Sequence, residues 1–149
     1  MPPADPNPRP RWFALPLLAL GIAGFAAAWV LAALALEGQC AWVAPLAGLD
    51  MVLLLRFGGW ARGGRRALVA VLATVATIAL ANFGIAASEI GRVLGLMPWE
   101  SALRLGAAHA WLLARLANGP LELAFYAAGL LAALWAGLSA RPRPAPSAR

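Results

Sequence analysis

The sequence predicts an all-α integral membrane protein: a four-helix transmembrane bundle, N-in and C-in, with an amphipathic interfacial helix between spans 3 and 4. Three observations carry this reading. Of 149 residues, 62% are apolar and only 12% charged, whereas a soluble domain is about half apolar and about a quarter charged. The apolar residues are gathered into runs that approach the roughly 20 residues a helix needs to cross a bilayer core. The basic residues fall in blocks between those runs. An ordinary water-soluble globule is excluded, and so is a disordered chain, which needs low hydropathy and more charge.

Residues 12–138 read as a single membrane domain between two tails. The first span, 12–36, follows a Pro-rich segment carrying Arg9 and Arg11. Its apolar run is longer than the roughly 7–15 residues of a secretory signal, so it reads as a retained helix despite the Ala33-Leu34-Ala35 sequence. The second span, 41–57, is shorter and contains Asp50, whose insertion cost of about 2.5–3.5 kcal/mol is offset by Val52-Leu53-Leu54-Leu55 and its other apolar residues. The third and fourth spans are 67–90 and 121–138. The tails, 1–11 and 139–149, are rich in Pro and Arg, which predicts extended or disordered chain.

Four spans make sense of the arginines. Arg9, Arg11, Arg56, Arg62, Arg65, Arg66, Arg141, Arg143 and Arg149 then lie on one side, while Arg92, Arg104 and Arg115 lie on the other among Glu89, Glu100 and Glu122. The positive-inside rule puts the first side, with both termini, in the cytoplasm, and the expected location is the bacterial inner membrane. The formal net charge of +6, all of it from Arg, is explained by topology, and no basic cluster with interleaved aromatics suggests nucleic acid.

Between the third and fourth spans, Met97-Pro98-Trp99 reads as a break and 98–118 as a new helix ended by Gly119-Pro120. At 100° per residue Glu100, Arg104, Arg115 and Asn118 share one arc, with Leu103, Leu105, Leu112, Leu113 and Leu116 mostly opposite. Such a helix lies in the outer interface with its apolar side down, or else packs on the bundle as a cap.

Three sets of residues are candidates for work. Asp50 is an ionisable group inside a span and therefore a functional hypothesis; Thr74 and Thr77 lie at similar depth, and a hydrogen bond to them, or pairing with Arg56, would satisfy it. Its roles divide between a proton-carrying site and a polar clip between helices. Asn82, Ser88, Glu89 and Arg92 run along the outer end of the third span, Glu122 and Tyr126 open the fourth, and His109 falls on the apolar side of the interfacial helix, pointing to the bundle. Glu89, His109 and Glu122 are the candidate catalytic set; nothing in their spacing matches a metal-ligand motif, and no metal or cofactor is expected. The third set is a seam on the fourth span, Ala124, Ala128, Ala132 and Ala136 with Gly129 and Gly137, opposite Leu residues and Trp135. Gly24, Ala28 and Ala32 look similar on the first span. Small residues at this spacing let helices approach closely, within the bundle or against a partner. Trp29 and Trp135, inside spans, read as packing residues.

Four spans with a horizontal helix before the last are similar in architecture to the quinone-coupled thiol oxidases of bacterial membranes. Those enzymes need paired cysteines, and Cys40 is alone, so that activity is excluded. Small multidrug exporters carry an acid on their first span; this one has none there. The function expected is therefore a non-enzymatic accessory or structural subunit of a membrane complex, contacting lipid and a membrane-protein partner or a second copy. The alternatives are a small transporter or proton-linked carrier using Asp50, and a lipid-modifying or hydrolytic enzyme at the outer face.

Overall fold

A computed structural model describes residues 13–139, all of whose regular elements are helices. They are α1 (Ala14–Ala35), a 3-10 turn (Ala41–Val43), α2 (Ala44–Phe57), α3 (Gly64–Leu94), α4 (Pro98–Ala117) and α5 (Pro120–Leu138). The two predicted tails lie outside the described residues, as do Trp12 and the arginines at positions 9, 11, 141, 143 and 149.

Three of these helices, α1, α3 and α5, are long and apolar enough to cross a membrane. With 22, 31 and 19 residues they measure about 33, 46 and 28 Å. The second segment differs from its sequence reading. Its α-helix has 14 residues, about 21 Å, because the chain leaves α1 through Glu37 and Cys40 in left-handed conformations and then forms a 3-10 turn before α2 begins at Ala44. The far end of α2 is closed by a glycine-dependent motif: Gly59 adopts φ 79°, and Trp60 N–H and Gly59 N–H donate to the Leu55 and Arg56 carbonyls.

Although α2 is the shortest of the α-helices, it is the most enclosed. Ala44, Ala47, Met51 and Leu55 have no exposed surface, and α2 packs against α1, α3 and α5. Near one end, Ala26, Trp29 and Ala33 of α1 meet Val43, Ala44 and Ala47, and Ala81 and Ile85 of α3. Towards the other, Leu18 meets Met51, Val52, Leu55, Ala70, Ala73 and Ala133. Trp29 is buried as the sequence suggests, its indole N–H donating to the Gln39 carbonyl at 3.0 Å. Trp135 is not: it is 72% exposed and turned outward.

Small residues set the helix spacing. Gly48 of α2 faces the backbone of Gly129 and Ala133 of α5. A Cβ on Gly129 would lie 2.6 Å from the Ala44 carbonyl oxygen, and one on Gly137 2.6 Å from Ala67 Cα. Close backbone approach is what association needs where burial from water supplies little driving force.

The α3 helix continues past the level of the α1–α2 turn, which it meets at Ala81 and Ile85. The first half of α4 turns back along this overhang, with Ser101 against Gly91 and Leu105 against Ala87. The sequence reads one continuous helix over 98–118; here Gly106 interrupts it with φ 67° and ψ 155°, a combination open essentially to glycine. The second half, about 16 Å of helix, spans from the level of Ala87 to that of Asn82, about 8 Å apart along α3. It therefore slants across the bundle, with Trp111, Leu112 and Leu116 exposed.

Candidate functional site

Arg66, Asp50 with the buried threonines, and Asn82 with its partners stand in three separate polar groups, each made by an identifiable feature of the helices. At the end of the molecule shared by Phe13 and Ser139, Arg66 opens α3 and is 5% exposed. Its Nε donates to the Gly137 carbonyl at 3.0 Å, and its Nη2 to the Ala136 and Ser139 carbonyls at 3.2 Å each. These are carbonyls that the end of α5 leaves without intrahelical donors, and a cation also suits the negative end of the helix dipole. The sequence analysis places Arg66 only among the topology anchors; its acceptors lie some 70 residues away, so no local pattern announces the contact.

The second group surrounds Asp50, which is half-buried and forms no hydrogen bond or ion pair with any described residue. The expected bonds to Thr74 and Thr77 are not made, nor is a pair with Arg56. Both threonines are fully buried, and their hydroxyls turn back on their own helix, Thr74 to the Ala70 carbonyl at 2.7 Å and Thr77 to the Ala73 carbonyl at 2.9 Å. Met51, one residue and about 100° further round α2, is what faces Thr77, its sulfur 3.9 Å from the hydroxyl. The antiparallel pairing that sets Gly21 against Leu54 brings Asp50, one turn on, level with Phe25 of α1.

The third group is a closed ring of hydrogen bonds joining α3, the end of α4 and α5. Asn118 Nδ2 donates to Asn82 Oδ1 at 2.7 Å, Asn82 Nδ2 to the Tyr126 hydroxyl at 3.1 Å, and that hydroxyl to Asn118 Oδ1 at 2.6 Å. The remaining amide protons go to the Ile78 and Ala114 carbonyls, so both side-chain amides have spent their donors. This ring is a structural clamp. The sequence puts Asn82 and Tyr126 in one polar set at the outer face but places Asn118 on a polar arc of α4, whereas the residue ends α4 and turns inward.

The candidate catalytic set does not converge through any bond. Glu122 accepts the Gly119 N–H at 2.9 Å, and Glu100 accepts the Met97 N–H at 3.2 Å, each closing the first turn of its own helix. Glu89 pairs with Arg92 at 3.4 Å on an exposed surface. Ser88 is buried. His109, expected to face the bundle, is exposed, because Gly106 breaks the helical phase from which its direction was projected. No group of three or more His, Cys, Asp or Glu side chains suited to a metal comes together among the described residues.

The seam on α5 divides. Gly129, Ala133 and Gly137 are buried against α2 and α3, Ala132 and Ala136 are half-buried, and Ala124 and Ala128 are exposed. On α1, Gly24 faces open space, with nothing within 4 Å of where its Cβ would be, and Ala28 is exposed beside it. The chain matches no protein-family model, no curated protein and no solved structure.

Proposed function

We propose that this chain is a multi-pass protein of the bacterial inner membrane that acts as a non-enzymatic accessory or structural subunit of a membrane complex. In this reading it is a four-span bundle. The 3-10 turn and α2 together measure about 27 Å, close to the roughly 30 Å hydrocarbon core, and the enclosure of α2 by α1, α3 and α5 supports its crossing with them. Arg56, Arg62, Arg65 and Arg66 belong to one end of the bundle and Arg92, Arg104 and Arg115, mixed with acids, to the other, which supports cytoplasmic termini. The slanted second half of α4, with its exposed Trp and Leu side chains, suits the outer interface.

The observation that carries the subunit reading is the contrast between the two small-residue faces. That of α5 is largely consumed by internal packing, while Gly24 of α1 stays open on the helix that runs beside the unpartnered Asp50. A partner helix laid there would pack closely on Gly24 and supply Asp50 with a donor. Native mass spectrometry of the full chain, extracted gently from its own host membrane, tests this. The expected result is a stoichiometric complex, lost in Gly24→Leu and weakened in Asp50→Asn. A lone chain, or a complex indifferent to both substitutions, would overturn the assignment.

The same unpartnered carboxyl favours a second reading, a proton-linked carrier, since a half-buried acid without a fixed partner is free to take up and release a proton. Proton flux into proteoliposomes that vanishes in a correctly inserted Asp50→Asn protein supports the carrier; equal flux in both proteins refutes it.

A further inference from the structure

The turn from α2 to α3 leads into a cavity of about 550 Å³ whose wall includes Leu15, Trp60, Arg62, Gly63, Gly64 and Arg65. Arg62 and Arg65 are exposed and form no hydrogen bond or ion pair with any described residue. Arg66, beside them, is committed to the α5 carbonyls, so the free positive charge of the cavity rests with Arg62 and Arg65. The backbone adds to it. The first bond of α3 is donated by Ala67 to the Gly63 carbonyl, which leaves the N–H groups of Gly64, Arg65 and Arg66 ahead of it at the positive end of a 31-residue helix. Among the described residues no side chain caps that end, no acid stands in its first turn, and, chain neighbours and the helix's own backbone aside, nothing lies within 4 Å of a Cβ built on Gly63 or Gly64.

A second, separate feature begins at the same residue. Gly64 is also in the wall of an apolar groove of about 290 Å³, which runs between α3 and α5 along Leu68, Val71, Leu130, Leu134 and Leu138. A cavity walled by two arginines without partners among the described residues and an apolar groove that share one wall residue suit an amphiphile with an anionic head and an acyl chain.

We propose that this pair of cavities is a binding site for an anionic phospholipid, with the headgroup phosphate held by Arg62, Arg65 and the N–H groups opening α3, and one acyl chain lying in the groove between α3 and α5. Arginine and a free helix N-terminus both favour phosphate oxygens. Gly64 leaves the passage between head and chain open. The site does not depend on the subunit reading, because it lies on a different face from Gly24 and at the opposite end from the Asn82 ring.

Native mass spectrometry of the full chain in detergent tests the assignment, using dioleoylphosphatidylglycerol, dioleoylphosphatidylcholine and inorganic phosphate as separate probes. The phosphatidylglycerol is expected to be retained in preference to the phosphatidylcholine. The Arg62→Gln/Arg65→Gln protein should lose that affinity by about tenfold or more, the scale of one or two charge-assisted hydrogen bonds. Gly64→Leu, whose Cβ enters open space, should block retention of the lipid while circular dichroism shows the helical fold unchanged. Arg56→Gln, outside the cavity wall, should change affinity by less than about twofold, as an exposed charge acting only through the general field would. Equal loss from Arg56→Gln and from the double variant would overturn the site in favour of diffuse attraction to a basic surface. Unchanged lipid retention in the double variant would overturn it outright. Inorganic phosphate binding as tightly as the lipid, with Gly64→Leu silent, would replace the lipid with a free anion.

Discussion

Adding one methyl group should have opposite effects at two glycines. In a helix interior, alanine is favoured over glycine by about 1 kcal/mol. At Gly24 no described residue beyond its own stretch of helix stands within 4 Å of the new Cβ, so Gly24→Ala should stabilise the isolated chain by close to that amount. At Gly129 the same Cβ would sit 2.6 Å from the Ala44 carbonyl oxygen and 2.8 Å from its carbon. Both obstacles are backbone, which cannot rotate aside, so α2 and α5 must separate. Overpacking of this kind costs about 1–3 kcal/mol, and with rigid obstacles the upper half of that range applies. Gly129→Ala should therefore be net destabilising by about 1–2 kcal/mol, leaving the two variants about 2–3 kcal/mol apart. Reversible unfolding in mixed micelles, titrated with a denaturing detergent and followed by far-UV circular dichroism, measures both. If Gly129→Ala is as stable as Gly24→Ala, the close contact between α2 and α5 is not what holds them together.

Other substitutions probe the remaining contacts. Arg66→Ala removes three hydrogen bonds from the end of α5, and with bonds to charged groups worth about 1.5–3 kcal/mol each and water able to replace part of them, it should cost about 3 kcal/mol in the same titration; Arg66→Lys should recover only part, since an ammonium lacks the planar fork. Tyr126→Phe leaves Asn118 Oδ1 and one Asn82 amide proton without partners and should cost about 1–3 kcal/mol, with faster hydrogen exchange at the start of α5. Gly106→Ala meets no steric obstacle but cannot hold φ 67°, ψ 155° without strain of about 1–3 kcal/mol. Spin labels at Leu103 and Leu112 should report a changed separation as α4 straightens, and an unchanged separation would show that the break does not depend on glycine.

Much of the helical plan is legible along the chain. The apolar runs 12–36, 67–90 and 121–138 and the Gly119-Pro120 break before α5 are local signals and correspond to helices or their ends. The small residues of α5 also announce close packing, but not its direction: Ala124 and Gly129 belong to the same sequence pattern, and only the glycine is buried. Projection at 100° per residue misplaced His109 because it assumes an unbroken helix, and a single glycine of left-handed φ resets the phase. For Asp50, equal depth proved insufficient, since a threonine satisfied by the carbonyl four residues back on its own helix has no proton left to offer a neighbour.

The sequence by itself determined the class of protein, the helices long enough to cross a membrane, and the segregation of arginine from mixed charge. Those properties depend on neighbouring residues and on the medium, and need no knowledge of which helices touch. Tertiary structure alone decided that α2, the least convincing segment in the sequence, is the most enclosed; that Arg66 caps α5; that Asn82, Asn118 and Tyr126 close a ring; and that one Gly-containing face is spent while another is open. Each of these depends on rotation and offset between helices distant in sequence. Hydrophobicity changes little as one apolar helix turns against another, so those two variables are set by the placement of a few glycines and polar groups, and by the backbone contacts they allow.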